Sequence, residues 1–206
     1  MAGALVALEG IDQAGKETQA LAVQERARAA GIACEVRGYP DYETPIGRLI
    51  HQSLRESGVL DSRTRAMLFA ANRWEKDGEI RALLQQDALV LVDRYTASNV
   101  VYGASQGLDS GWLCGLETGL AEAHLTLFVD IPAAESARRK SRDRDGFERD
   151  LALLETARRH YLRLASELGW AVVDGTRPAS EVTRDILAAL QARLAGRYPP
   201  IARVRL

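Results

Sequence analysis

Cysteine is scarce in this chain: Cys34 and Cys114 are the only two in 206 residues. Two cysteines so far apart form neither a disulfide framework nor a metal-ligand spacing. The three histidines, His51, His124 and His160, are too scattered to supply a zinc site instead. Charge of one sign is lacking as well. With a net charge of −1, no whole-chain basic field favours nucleic acid or a membrane surface, so any anion site must be local. Long apolar runs are missing, and no membrane-spanning helix is expected. The opening run Ala4–Leu8 is short, has no basic flank and meets Glu9 and a glycine loop, unlike a secretory signal. The cytosol is the expected compartment. Repeats, low-complexity stretches and Pro/Gly/Ser-rich linkers are absent, so residues 1–206 read as one domain, with a tail at 196–206 to which no role is assigned.

What is present is the make-up of a globular chain, 47% hydrophobic and 27% charged, long enough to bury a sizeable core. Five short β-rich runs stand out: Ala4–Glu9, Ala33–Tyr39, Ala88–Asp93, Leu125–Asp130 and Ala171–Asp174. Helical patterns fill the intervals at Lys16–Ala30, Pro45–Ser57, Ser62–Gln86, Ser110–Ala121, Glu148–Leu168 and Ala179–Leu194. Strands alternating with helices predict an α/β fold in three layers, a five-stranded parallel sheet covered on both faces. Ligands are expected at the carboxyl ends of its strands.

The stretch Glu9-Gly10-Ile11-Asp12-Gln13-Ala14-Gly15-Lys16-Glu17-Thr18 follows the first strand and opens the first helix. This is the context of a phosphate loop. Its glycines let the backbone wrap phosphate oxygens, and N–H groups at the helix start point towards them. Lys16 is placed to reach the β- and γ-phosphates of ATP. Gly10, Gln13, Ala14, Gly15, Lys16, Glu17 and Thr18 are therefore the expected ATP-binding set. In the pattern G-x-x-x-x-G-K-[S/T], Glu17 occupies the position of the magnesium-binding hydroxyl. A carboxylate is itself a magnesium ligand. Asp12, taken alone, reads first as a cap for the first helix.

Further along come Tyr39-Pro40-Asp41-Tyr42, then Leu68-Phe69-Ala70-Ala71-Asn72-Arg73-Trp74-Glu75, Asp93-Arg94-Tyr95, and Ser98-Asn99-Val100-Val101-Tyr102. In this order, over about Leu5 to Leu190, the chain resembles the thymidylate kinase family of P-loop nucleoside monophosphate kinases. The resemblance implies phosphoryl transfer from ATP to dTMP, giving dTDP and ADP, with Mg2+ as cofactor. It also implies a homodimer. ATP and dTMP are the expected partners, with no nucleic acid and no membrane.

By the same resemblance, Asp12 lies near the acceptor's 3′-hydroxyl and the metal. Asp93 joins Glu17 in the magnesium network, and Arg94 grips the acceptor phosphate, for which its fork is suited. Phe69 and Arg73 are four residues apart and share a helix face. The ring can stack on a pyrimidine while the guanidinium holds a base carbonyl or the 5′-phosphate. Asn99 is matched to the N3–H and O4 of thymine, and Tyr102 crowds the 2′ position of the sugar. Tyr39, Tyr42 and Ser98 complete the expected dTMP site. Tyr39 stands where phenylalanine is usual in the family.

The charged stretch Arg138–Arg149 follows the fourth strand, where such kinases carry a short basic lid. Some relatives place an arginine at the position of Gln13, which cannot supply that charge. Arg138, Arg142 and Arg149 are therefore the expected catalytic lid cations, alongside Lys16, Asp12 and Arg94. Glu17 and Gly103 leave two other readings open: a kinase for another deoxypyrimidine monophosphate, or a nucleotide-binding homologue with impaired turnover.

Overall fold

The first strand, β1 (Ala4–Glu9), is buried at every position, as a strand must be when helices cover both faces of its sheet. In the computed structural model, which describes residues 3–55, 60–140, 147 and 150–198, β1 is the centre of a parallel sheet. Its neighbours are β2 (Cys34–Gly38), β3 (Leu89–Asp93), β4 (Leu125–Asp130) and β5 (Ala171–Asp174), in the order β2-β3-β1-β4-β5. Ala4 pairs with Leu89 on one side of β1, and Val6 pairs with Leu125 on the other.

Eight helices are present among the described residues: α1 (Lys16–Ala29), α2 (Pro45–Arg55), α3 (Ser62–Gln85), α4 (Thr96–Ser105), α5 (Ser110–Glu117), α6 (Ala133–Arg139), α7 (Leu151–Leu168) and α8 (Ala179–Arg193). Alternation along β1 assigns the two faces. Ala4, Val6 and Leu8 enter a large core with Val23 of α1, Tyr161 of α7 and Ile186 of α8. Leu5 and Ala7 enter a smaller one with Ile80 of α3 and with Tyr39 and Tyr95. These are the three layers expected.

Local chemistry explains the boundaries. Asp61, Asp109 and Asp150 cap α3, α5 and α7 by accepting from the N–H groups of Thr64, Trp112 and Leu153. The expected helix Ser110–Ala121 stops at Glu117, because Thr118 is extended and Gly119 turns with φ 102°. The expected Glu148–Leu168 helix begins at Leu151 behind its Asp150 cap. Two helices, α4 and α6, had no counterpart in the pattern reading. Both are short, and α4 carries polar residues on its buried face, so periodicity did not mark it. The tail begins by docking at the end of the sheet away from the phosphate loop: Arg197 Nη1 donates to Gly3 O at 3.1 Å and the Tyr198 hydroxyl to Ala88 O at 3.2 Å. Residues 199–206 lie outside the described residues.

Candidate active site

The loop between β1 and α1 turns on backbone conformations that few side chains tolerate. Gly10 has φ 152°, and a Cβ there would stand 2.6 Å from Val129 O on β4. Gly15 (φ 90°) and Gln13 (φ 63°) are left-handed. Gly15 is the N-cap of α1, with no side-chain cap bond, so Asp12 is not a helix cap. Lys16 is almost wholly buried, its Nζ donating to Ile11 O at 3.0 Å and lying 3.9 Å from Asp93 Oδ1. Burial and the nearby Arg94 lower its pKa, with Asp93, Asp12 and Glu9 opposing them.

Asp12 is the junction between this loop and the rest of the site. Its Oδ1 accepts from Arg94 Nη2 at 2.7 Å and its Oδ2 from the Tyr102 hydroxyl at 2.6 Å. Burial alone would raise the Asp12 pKa, yet Arg94, Lys16 and the Tyr102 bond bring it below the ordinary value. Arg94 also donates to Gly10 O at 3.1 Å. Burial opposes its charge, but Asp12 and the neighbouring tyrosines hold its pKa well above normal. Asp93 and Arg94 are thus not a mutual surface pair. Arg94 turns away from the strand end towards Asp12.

An open cleft of about 670 Å³ lies beside this junction, and all nine residues assigned to dTMP from sequence line it: Asp12, Tyr39, Tyr42, Phe69, Arg73, Arg94, Ser98, Asn99 and Tyr102. Phe69 and Arg73 face it from α3, and Ser98, Asn99 and Tyr102 from α4. Gly103 lines it too, and its missing side chain has a packing cause: a Cβ would meet both δ-carbons of buried Leu113 at 2.7 Å. Phe147 lies against Tyr102, ring centroids 5.5 Å apart, with the Arg65 guanidinium 5.5 Å from its ring.

Several side chains are engaged in ways the sequence did not indicate. Arg73, 2% exposed, sends Nε to Glu117 Oε2 at 2.8 Å and Nη2 to the other oxygen of that buried carboxylate. Both amide hydrogens of Asn99 are used as well, by Ala66 O at 3.0 Å and Glu117 Oε1 at 2.6 Å. Asn99 therefore turns its carbonyl oxygen, an acceptor, to any further partner. Glu117 orients both base-reading candidates, yet it lies 44 residues from Arg73, and no local pattern marks it. Ser98 turns inward, donating to Glu9 Oε2 at 2.7 Å. Tyr39 is 5% exposed, its hydroxyl has no hydrogen-bond partner among the described residues, and burial with Tyr95 beside it pushes its pKa up.

Glu17 and Thr18 are exposed in the first turn of α1. Glu17 lines a second, adjoining cleft together with Asp93 and Arg94. Asp93 Oδ1 is buried without a hydrogen-bond partner among the described residues. A buried carboxylate oxygen facing the phosphate loop suits a hydrated hard cation.

The lid candidates divide. Arg142 and Arg149 lie outside the described residues. Arg138 is 75% exposed and forks onto Glu135 at 2.7 Å through both Nε and Nη2. Its neighbour Arg139, not singled out from sequence, reaches the loop among the described residues, donating to Gln13 O at 3.2 Å and to Gly175 O at 2.7 Å. Hydrogen bonds from Arg138 and Arg139 draw the Glu135 pKa down to about 2.

Comparison with known proteins adds an independent line. The family model described as thymidylate kinase matches residues 8–186. Human thymidylate kinase is 34% identical, over 89% of this chain and 88% of its own length. A probable thymidylate kinase of Pyrobaculum calidifontis is 33% identical over 92% and 97%. Among solved structures, the thymidylate kinase of Candida albicans, described there as having broad substrate specificity, superposes with a TM-score of 0.81 at 26% identity. It covers 94% of this chain and 93% of that one.

Proposed function

The chain belongs to the thymidylate kinase family, and we propose that it transfers the γ-phosphoryl group of ATP to dTMP, giving dTDP and ADP. The observation that carries this reading is the Asp12 junction. One carboxylate ties the phosphate loop to Arg94 and Tyr102 of the cleft, so donor and acceptor sites meet at a single fixed point. Holding two anionic reactants in line is most of what phosphoryl transfer asks of a protein.

In this reading ATP lies on the Gly10–Thr18 loop, with the Lys16 ammonium beside its β- and γ-phosphates. The acceptor phosphate meets Arg94, whose fork suits it. The base stacks on Phe69, its N3–H donates to the Asn99 carbonyl, and Arg73 serves a base carbonyl. Tyr39 and Tyr42 border the phosphate end, and the Tyr102 ring bars a 2′-hydroxyl. The acceptor phosphate is already ionised near neutral pH, so no general base is assigned. The Asp93 oxygen that accepts no hydrogen bond among the described residues, with Glu17 in the adjoining cleft, fits magnesium, which would offset charge on the ATP phosphates when bound. Arg138, Arg142 and Arg149 remain the lid cations of this reading.

The protein acts as one cytosolic unit and as a homodimer. No described helix is long and apolar enough to cross a membrane. Met67 and Trp74 are half-exposed seven residues apart on one side of α3.

The test is ATP- and magnesium-dependent diphosphate formation from dTMP, dUMP, UMP, dCMP and AMP. Fast dTDP formation with little product from UMP is the expected result. Preference for another deoxypyrimidine would reassign the acceptor. Folded protein that binds ATP yet turns over nothing in the panel would overturn the reading and point to Glu17.

A further inference from the structure

Glu9 ends β1 with 0% exposure, yet the transfer chemistry above does not use it. A carboxylate persists at such burial only where donors surround it. Here there are three. Glu9 Oε1 accepts from the backbone N–H of Tyr95 at 2.8 Å, and Oε2 accepts from the Ser98 hydroxyl at 2.7 Å and the Tyr161 hydroxyl at 3.0 Å. Those two hydroxyls are themselves 2.8 Å apart.

The first of these donors immediately follows Arg94, which has a left-handed backbone at φ 62°. A side chain with a Cβ disfavours that region, so something must hold it there. The Arg94 N–H bonds to Leu8 O at 2.9 Å, and the Tyr95 N–H bonds to Glu9. The turn is thus gripped on both flanks from β1. Tyr161, the third donor, comes from α7 and stacks on Phe128 with centroids 5.2 Å apart and planes at 18°.

We infer that Glu9 is a positioning residue for Arg94: its carboxylate, juxtaposed with the Tyr95 N–H and the Ser98 and Tyr161 hydroxyls, holds the left-handed turn that aims the guanidinium at Asp12 and ties that turn to α7. Glutamine at this position has a single acceptor oxygen, so either the Tyr95 N–H or the two hydroxyls lose theirs and the three-donor set cannot be kept. The Arg94 turn then loosens, and the acceptor subsite suffers before the ATP subsite does. Only this last consequence rests on the dTMP reading of the cleft.

The experiment uses Glu9→Gln, with Tyr161→Phe as a second variant that keeps the stacked ring and loses one donor. Nitrogen-labelled arginine NMR of the ligand-free protein reads the Arg94 guanidinium signal, identified by its loss in Arg94→Lys. Calorimetry reads dTMP and ATP affinity. The expected result is a shifted Arg94 signal and about tenfold weaker dTMP binding in Glu9→Gln. ATP affinity changes by no more than about twofold, and Glu9→Gln causes no further dTMP loss in the Arg94→Ala background. An unmoved Arg94 signal overturns the inference. So does an equal dTMP loss with and without Arg94. If Glu9→Gln does not fold, Tyr161→Phe decides by the same readouts. If the unaltered protein takes up no dTMP, the substrate reading falls, and the Arg94 signal alone decides the role of Glu9.

Discussion

Tyr102 donates to Asp12 Oδ2 at 2.6 Å while Arg94 holds the other oxygen of that carboxylate at 2.7 Å. The bond fixes where the Tyr102 ring stands, so hydroxyl and ring have separable roles. Tyr102→Phe keeps the ring and is expected to lower kcat/KM for dTMP about tenfold by loss of the bond, with the preference for dUMP over UMP retained. Tyr102→Ala removes the bulk, and that preference is expected to collapse. The ratio of kcat/KM for dUMP and UMP in both variants is the measurement. An unchanged ratio in the alanine variant would refute Tyr102 as the ribose filter.

The buried Arg73–Glu117 pair predicts a stability effect. Glu117→Ala leaves a guanidinium unpaired at 2% exposure, and removing one partner of such a pair costs about 3–5 kcal/mol. Urea unfolding should show the loss, together with weaker dTMP binding because Asn99 also loses its anchor. Near-wild-type stability would mean that water reaches Arg73.

Tyr39→Phe runs the other way. The Tyr39 hydroxyl is buried with no hydrogen-bond partner among the described residues, and phenylalanine keeps the ring. A gain of about 1 kcal/mol is expected, read as a higher urea midpoint at unchanged slope.

His124 makes stability depend on pH. Its Nδ1 accepts from the Leu5 N–H at 3.1 Å, which requires the neutral ring. Burial and Arg197 lower its pKa, with Glu122 opposing. Because the folded pKa is depressed, the contribution is fully present above about 6.5, the unfolded value, and is lost as pH falls through the folded pKa. His160 is lowered too, by burial, Arg163 and Arg159, so both contribute to the slope. His124→Gln should flatten part of the decline in melting temperature between neutral and mildly acidic pH. An unchanged profile would leave His160 as the source.

The lid arginines can be separated by kinetics. Among Arg138→Ala, Arg142→Ala and Arg149→Ala, at least one should lower kcat by about 10²-fold, the scale of losing one transition-state donor. Intact folding with ordinary kcat in all three would remove the lid-cation idea. Arg139 would then be the arginine to examine, since it already touches the loop at Gln13 O.

Much of this was legible because its signals are local. The phosphate loop follows from glycines and a lysine at fixed spacing between a strand and a helix, and the parallel sheet from five apolar runs separated by helical patterns. The helix α4 was not legible, since Ser98, Asn99 and Tyr102 on its buried face are polar and find partners in distant segments. Glu9 read only as the residue before the loop, and nothing in the sequence marked Glu117.

Sequence alone determined the strands and the loop, because backbone propensity and apolar periodicity act over a few positions, while the residues of the cleft came from the family resemblance. Tertiary structure alone decided what those residues hold. Asp12 joins Arg94 and Tyr102 instead of capping α1, Arg73 and Asn99 share Glu117, and Glu9 grips the turn at Arg94. The physical reason is that a buried polar group must find its partner wherever the fold brings one. Those partners lie from 18 to 90 residues apart, a separation over which sequence spacing carries no geometry.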